Sequence, residues 1–308
     1  MNCASSFVEN AVLSRTSVVD LVDAHVHAWH LADAGHDWLA DAGTRLFADF
    51  PPAQLEENLG RAGAAAAVLI QSAVDFGENA RLAAVAISSA RILSFVGVVD
   101  PTGIARKQVE SLAALPKVAG FRVSLRPDAL SRITEVPPEV ALSPFFELAG
   151  DLGLTIDLLV PREMLPLSLK LASRAGRAPV VINHAGQPPQ GPGRKAWFGM
   201  MADLACQPNT HCKVSGLHAD WVADPARVND LIRQLLSIFS PARTLWGSNW
   251  PVILEDRPYS SWLEIALTVF ESQLDNHDLD LVFGGVARGI YTPENPYVPI
   301  SPARDPGL

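Results

Sequence analysis

The chain is poor in cysteine, with three in 308 residues. Cys3, Cys206 and Cys212 are odd in number and show no close ligand-pair spacing. That pattern excludes a disulfide framework and suits the reducing cytoplasm. Positive charge is scarce too: 24 Lys and Arg face 33 Asp and Glu, a net charge of −9. Without clustered basic residues the surface does not suit nucleic-acid phosphates or an anionic membrane. No apolar run approaches the roughly 20 residues of a membrane helix. The start of the chain carries Glu9 and lacks a basic beginning followed by a continuous apolar segment, so it does not read as a secretory signal. Also missing are a Gly-rich phosphate or dinucleotide loop after the first strand-like segment and any low-complexity linker. These absences leave a small molecule as the expected partner, with a homodimer the one protein contact left open.

What is present is a regular alternation. Hydrophobic residues make up 48% of the chain, and many fall in eight short runs: VVDLVDAHVHAW, AAAVLIQS, LSFVGVVD, VAGFRVSL, TIDLLV, PVVINHAG, THCKVSGL and TLWGSNWP. Between them lie amphipathic stretches such as PPAQLEENLGRAG and DPARVNDLIRQLLSIFS, with Asp or Ser near the start and Gly near several ends, as helix termini favour. Near-continuous apolar strands imply burial on both faces, and eight strand–helix repeats predict a single-domain, distorted (β/α)8 TIM barrel. We place an N-terminal extension at 1–19, the barrel at 20–292 and an irregular tail at 293–308. Chemistry on such a barrel gathers at the C-terminal strand ends. Those positions are His25 and His27, Gln71 and Ser72, Asp100, Arg122 and Ser124, Asp157, His184, Lys213 and Ser215, and Asn249.

His25 and His27 are two apart, so on a strand both imidazoles share a face. With His184 they form either a three-imidazole site for one Zn²⁺ or substrate oxygen, or a set of hydrogen-bonded core histidines. Arg122, Arg126 and Lys213 are the basic set near the mouth. They read equally as anchors for an anionic, oxygen-rich substrate and as ion-pair partners of Asp100, Asp157 or Asp220. Trp29, Trp38, Trp221 and Trp250 flank the site as packing rings or ligand platforms. Ser248 lacks the spacing of a nucleophile elbow. Cys212 and His211, adjacent on a strand, point to opposite faces and so do not form a thiolate pair.

The segments VDAHVHAWHLADAGHDWL, FVGVVDP, VAGFRVSL, VINHAGQP, CKVSGL, LWGSNWPV and FGGVARGIY, in this order, resemble the amidohydrolase (metal-dependent hydrolase) superfamily, in its branch of sugar-lactone and pyrone-dicarboxylate lactonases. The resemblance implies that His25 and His27 are the HxH pair, that His184 polarises the scissile carbonyl, and that Asn249 stands where the family has a water-activating aspartate in GSDWP. Arg122 and Asp157 replace the carboxylated lysine and the histidine of binuclear members, so one Zn²⁺ or no metal is expected. Asn183, Gln187 and Val286 depart from the Asp, Lys and Asn usual in such lactonases, pointing to a substrate unlike the common sugar lactones. The expectation is a hydrolase that opens a lactone or related cyclic ester or amide of a small oxygen-rich or carboxylated substrate. Its catalytic aspartate is replaced by Asn249, by design or by natural divergence. An amide cannot take a proton from water near neutral pH, so a decarboxylase, a non-hydrolytic biosynthetic enzyme and a catalytically silent binding barrel are the alternatives.

Overall fold

The computed structural model describes residues 20–40, 45–73, 75–217 and 224–293. The N-terminal extension, Cys3, Asp220, Trp221 and the tail beyond residue 293 lie outside them. Each apolar run forms a strand: β1 Val22–Val26, β2 Ala66–Ile70, β3 Ile92–Val98, β4 Val118–Ser124, β5 Thr155–Leu159, β6 Val180–Ile182, β7 Thr210–Val214 and β8 Thr244–Trp246. The strands pair in parallel in sequence order. Successive strands are joined by helices that include α1 Pro52–Arg61, α2 Glu78–Ser88, α3 Ala105–Ala113, α4 Pro138–Asp151, α5 Leu165–Ala172, α6 Arg194–Ala205 and α7 Pro225–Phe239. Beyond β8 follow α8 Tyr259–Glu271 and, at the chain's described end, α9 Val286–Tyr291.

The ring closes just past β8. His27 N–H donates to Trp250 O at 2.7 Å and Asn249 N–H to His25 O at 2.9 Å. Gly247 permits this approach, since a Cβ there would lie 2.8 Å from His25 Cβ. The closure therefore places Asn249 and the histidine pair side by side before any side-chain chemistry is considered.

Outward-facing Leu69, Phe95, Phe121, Ile156, Ile182, Cys212 and Trp246 join one large apolar cluster with the helices. Inward-facing Ala24, Ala66, Val68, Val96, Val181 and Leu245 form a second, smaller cluster with Val286, Ala287 and Tyr291 of α9. Small residues at the base of the barrel make room for that helix, and Thr155 Oγ1 donates to Ile290 O at 2.5 Å. One end of the barrel is thus closed by α9, and the polar groups collect at the other. Among the described residues no helix is long and apolar enough to cross a membrane.

Cys212 is fully buried against the helix layer and desolvation pushes its thiol well up, whereas Cys206 is exposed at the end of α6. Alkylation depends on thiolate and access. Peptide mass spectrometry after brief iodoacetamide treatment should therefore find Cys206 modified and Cys212 intact until denaturant is added. Equal labelling of both in the folded protein would contradict this packing.

Candidate functional site

β1 changes register between Asp23 and Val26. Asp23 thereby turns toward α8, where its carboxylate accepts from Ser248 N–H and Tyr259 O–H, both at 2.9 Å, and from His25 N–H at 3.1 Å. Burial pushes Asp23 up to about 6 despite these donors. It binds the start of β1 to the turn that carries Asn249. His25 and His27 enter the mouth with ring centroids 5.0 Å apart, and His184 comes within 4.8 Å of His25. Desolvation holds His25 well below the usual imidazole range, helped by the charge of Lys213, and takes His27 down to about 3, helped by Arg122. Both rings are therefore neutral at physiological pH.

Hydrogen bonding fixes one tautomer. His27 Nδ1 is 2.9 Å from Ile70 O, and a carbonyl only accepts, so Nδ1 carries the proton and Nε2 presents a lone pair. The Asn249 side chain lies against His27 and acts to favour its protonated form, against the larger effect of burial. The Asn249 backbone is left-handed, φ 61°, a conformation that Asn and Asp both tolerate. Backbone geometry therefore does not choose the amide. His25 is different: neither of its buried ring nitrogens has a hydrogen-bond partner.

His184 is presented by an unusual turn. His184, Ala185, Gly186 and Gln187 have φ of 54°, 50°, 63° and 52°, successive left-handed residues that each cost about 1–2 kcal/mol when not glycine. Such strain persists only where the surroundings over-determine it. Here Trp197 Nε1–H donates to Ala185 O at 3.1 Å, and Ser215 Oγ lies 3.0 Å from His184 Nδ1. Gly216 lets the ring approach, because a Cβ there would sit 2.3 Å from His184 Nδ1.

The basic set separates. Arg122, 9% exposed inside the barrel, forms no ion pair among the described residues, and its Nε has no partner. Desolvation pulls its guanidinium down to about 10. Lys213 is spent structurally: its ammonium lies 2.7 Å from Asp157 with both side chains fully buried, and Tyr291 O–H donates to the other Asp157 oxygen. Asp157 is likewise a structural partner and not an open contact for substrate. Arg126 is exposed and paired with Asp128 at 3.1 Å, outside the cluster. Ser124 is partly buried at the end of β4 and accepts from Arg126 N–H. Asp100 pairs with Arg132 at 3.0 Å.

Trp29 and Trp250 are packing rings, each edge-on to Phe50 at 5.3 and 5.6 Å. Both are nearly or completely buried, and Trp250 also lines a cavity with Gln54, Arg61 and Tyr259. Trp38 is partly exposed and donates to Ser72 O.

Other groups carry more of the site than their sequence signal suggested. Gln71 Oε1 and both amide atoms of Asn183 are buried without partners, and strand alternation from Val181 puts Asn183 on the inner side. Glu78 on α2 accepts from Ser72 N–H, Ser72 O–H and Ala73 N–H, and His36 Nε2 lies 2.8 Å from Ser72 Oγ. Glu78 lies six residues beyond Ser72 in the chain, and His36 falls within the segment VDAHVHAWHLADAGHDWL without a spacing that singles it out.

Among the described residues no group of three or more His, Cys, Asp and Glu places its donors to hold a metal ion. The ring spacing is compact, and the Nδ1 contacts of His27 with Ile70 O and of His184 with Ser215 Oγ are of the kind that metal-bound imidazoles also make, so the placement of the donor atoms and not these bonds stands against a metal. As placed, the three imidazoles expected to bind Zn²⁺ do not form a ligand set.

Comparisons with known proteins agree with this architecture. The profile of the Amidohydrolase family matches residues 22–292. An L-fucono-1,5-lactonase of Burkholderia ambifaria is 33% identical over 89% of this chain and 96% of its own. An L-fucono-1,5-lactonase of Burkholderia multivorans is 27% identical over 89% of this chain and 97% of its own. The crystal structure of a Burkholderia multivorans amidohydrolase with bound zinc superposes with a TM-score of 0.79 at 24% identity, covering 88% of this chain and 99% of that one. With eight strands in order and its histidines at one mouth, the chain belongs to the amidohydrolase family, as a lactonase-like hydrolase.

Proposed function

We propose that the protein hydrolyses a lactone of a small oxygen-rich or carboxylated substrate. The observation that supports this most directly is the meeting of His27 and His184 with His25, at centroid spacings of 5.0 and 4.8 Å, near a buried Arg122 that forms no ion pair among the described residues. In this reading His184 polarises the ring carbonyl, and water adds to its carbon. The C–O bond of the ring then breaks, and the ring oxygen takes a proton, leaving a hydroxy acid. His25, whose nitrogens are uncommitted, accepts the water's proton. The Asn249 amide orients that water without deprotonating it, which makes turnover slow. Arg122, with Ser124 at the rim, anchors the acid function. No step is routed through a metal, and exhaustive chelation is expected to leave turnover unchanged. A loss that zinc alone restores would mean that the donors reorient around an ion.

The direct experiment is acid release from a panel of hydroxylated and carboxylated lactones, followed by pH indicator. Carbon dioxide release from aromatic acids, or binding without turnover, would replace the hydrolytic assignment. Arg122→Met should raise KM for carboxylated lactones by about 10–100-fold, the scale of a charge-assisted hydrogen bond. An unchanged KM would remove Arg122 from the anchor role.

A further inference from the structure

We infer that Ser215 is a positioning residue: its hydroxyl donates to His184 Nδ1 and so places the ring's single proton on Nε2. The inference deepens the proposed function and rests on its assignment of His184 to the carbonyl. Ser215 is fully buried, so no solvent reaches its hydroxyl, and its hydrogen bond among the described residues is the 3.0 Å contact with His184 Nδ1. Two proton arrangements are available to that contact. If Nδ1–H donated to Oγ, the buried O–H of Ser215 would have no acceptor, the costly outcome for a polar group shut away from water. If the hydroxyl donates, both groups are satisfied, and a ring holding one proton must carry it on Nε2.

The rest of the local structure aims the ring at this contact. Gly216, φ 55°, occupies a position where a Cβ would collide with His184 Nδ1, and the left-handed run from His184 to Gln187 brings the ring to it. His27 is locked the opposite way, with its proton on Nδ1 toward Ile70 O. The two outer imidazoles of the cluster thus hold complementary tautomers: His184 supplies an N–H to polarise an acyl oxygen, and His27 supplies a lone pair. A ring in the other tautomer would point a lone pair at the carbonyl oxygen and repel it.

Long-range ¹H–¹⁵N correlation spectra of the full-length protein report each histidine tautomer, and the His184 signals are assigned by their loss in His184→Gln. The expected spectrum shows His184 as the Nε2–H form in the wild-type chain. An Nδ1–H form overturns the proposal, and this measurement needs no Ser215 variant to fold. In Ser215→Ala the His184 signals should shift toward a tautomer mixture. Its kcat should fall by about 10–100-fold, the scale reported for partners that orient a functional imidazole, with KM within about twofold, since the loss falls on the transition state. Ser215→Thr, which keeps the hydroxyl, should recover most of the rate. Unchanged kcat and tautomer in Ser215→Ala would refute the role. If the wild-type chain turns over no lactone, the lactonase reading fails by itself, and the tautomer spectrum still decides the hydrogen bond.

Discussion

Asn249→Asp should raise lactone turnover by about 10²–10⁴-fold, the range supplied by a positioned general base. The change is nearly isosteric, and the left-handed backbone at residue 249 accepts aspartate as readily as asparagine. Its consequence is electronic. In the present chain the Asn249 side chain lies against a neutral His27 whose Nε2 carries a lone pair. A carboxylate at that position faces the same lone pair with no proton between them. A water molecule that donates one hydrogen to each acceptor relieves the conflict, and it is then held where its remaining lone pair can attack. The rate should rise with pH as the new carboxylate ionises and then level off, while wild-type turnover lacks that limb. The measurement is kcat and kcat/KM against pH for both proteins. If the variant instead loses a measurable wild-type activity, Asn249 acts as a hydrogen-bonding group in a reaction that needs no carboxylate, and hydrolysis is the wrong chemistry. No change in either direction, with the fold intact, would move the site elsewhere.

Lys213→Met should destabilise the barrel by about 3–5 kcal/mol, because it strands the Asp157 charge in an apolar interior. Asp157 and Lys213 are both fully buried, and without the ammonium Asp157 keeps the Tyr291 O–H from α9 and only the more distant charge of Arg122, its register neighbour on β4. The hydrogen bond from Tyr291 does not neutralise a carboxylate, so the lesion reaches the helix that closes the barrel base. Asp157→Asn combined with Lys213→Met should recover most of the loss, since a neutral pair of similar volume needs no counter-ion. Urea denaturation of the two variants reads this directly. A Lys213→Met protein as stable as wild type would show that the ammonium is not the carboxylate's counter-charge. It would return Lys213 to the set of groups available to substrate.

The Lys213 case shows where sequence reasoning stopped. Lys213 and Arg122 look alike in sequence, each a basic residue near the C-terminal end of an apolar strand. Register alone would pair Asp157 with Arg122, its neighbour on β4, but the ion pair forms instead with Lys213 from β7 at 2.7 Å. Trp29 and Trp250 were equally ambiguous, and Phe50, which follows a turn far from either, decided them as packing.

Strand number, order and the convergence of His25, His27 and His184 were legible because they depend on local rules. Alternation and apolar runs define strands, and a parallel barrel sends every strand's C-terminal end to one mouth. What only the tertiary structure decided is side-chain pairing between elements: the Ile70 carbonyl under His27, Ser215 beside His184, Glu78 under Ser72, and the neutralised Lys213. These contacts join residues 6 to 56 positions apart. Proton location, net charge and free donors at the site follow from such distances, and no periodicity in the chain encodes them.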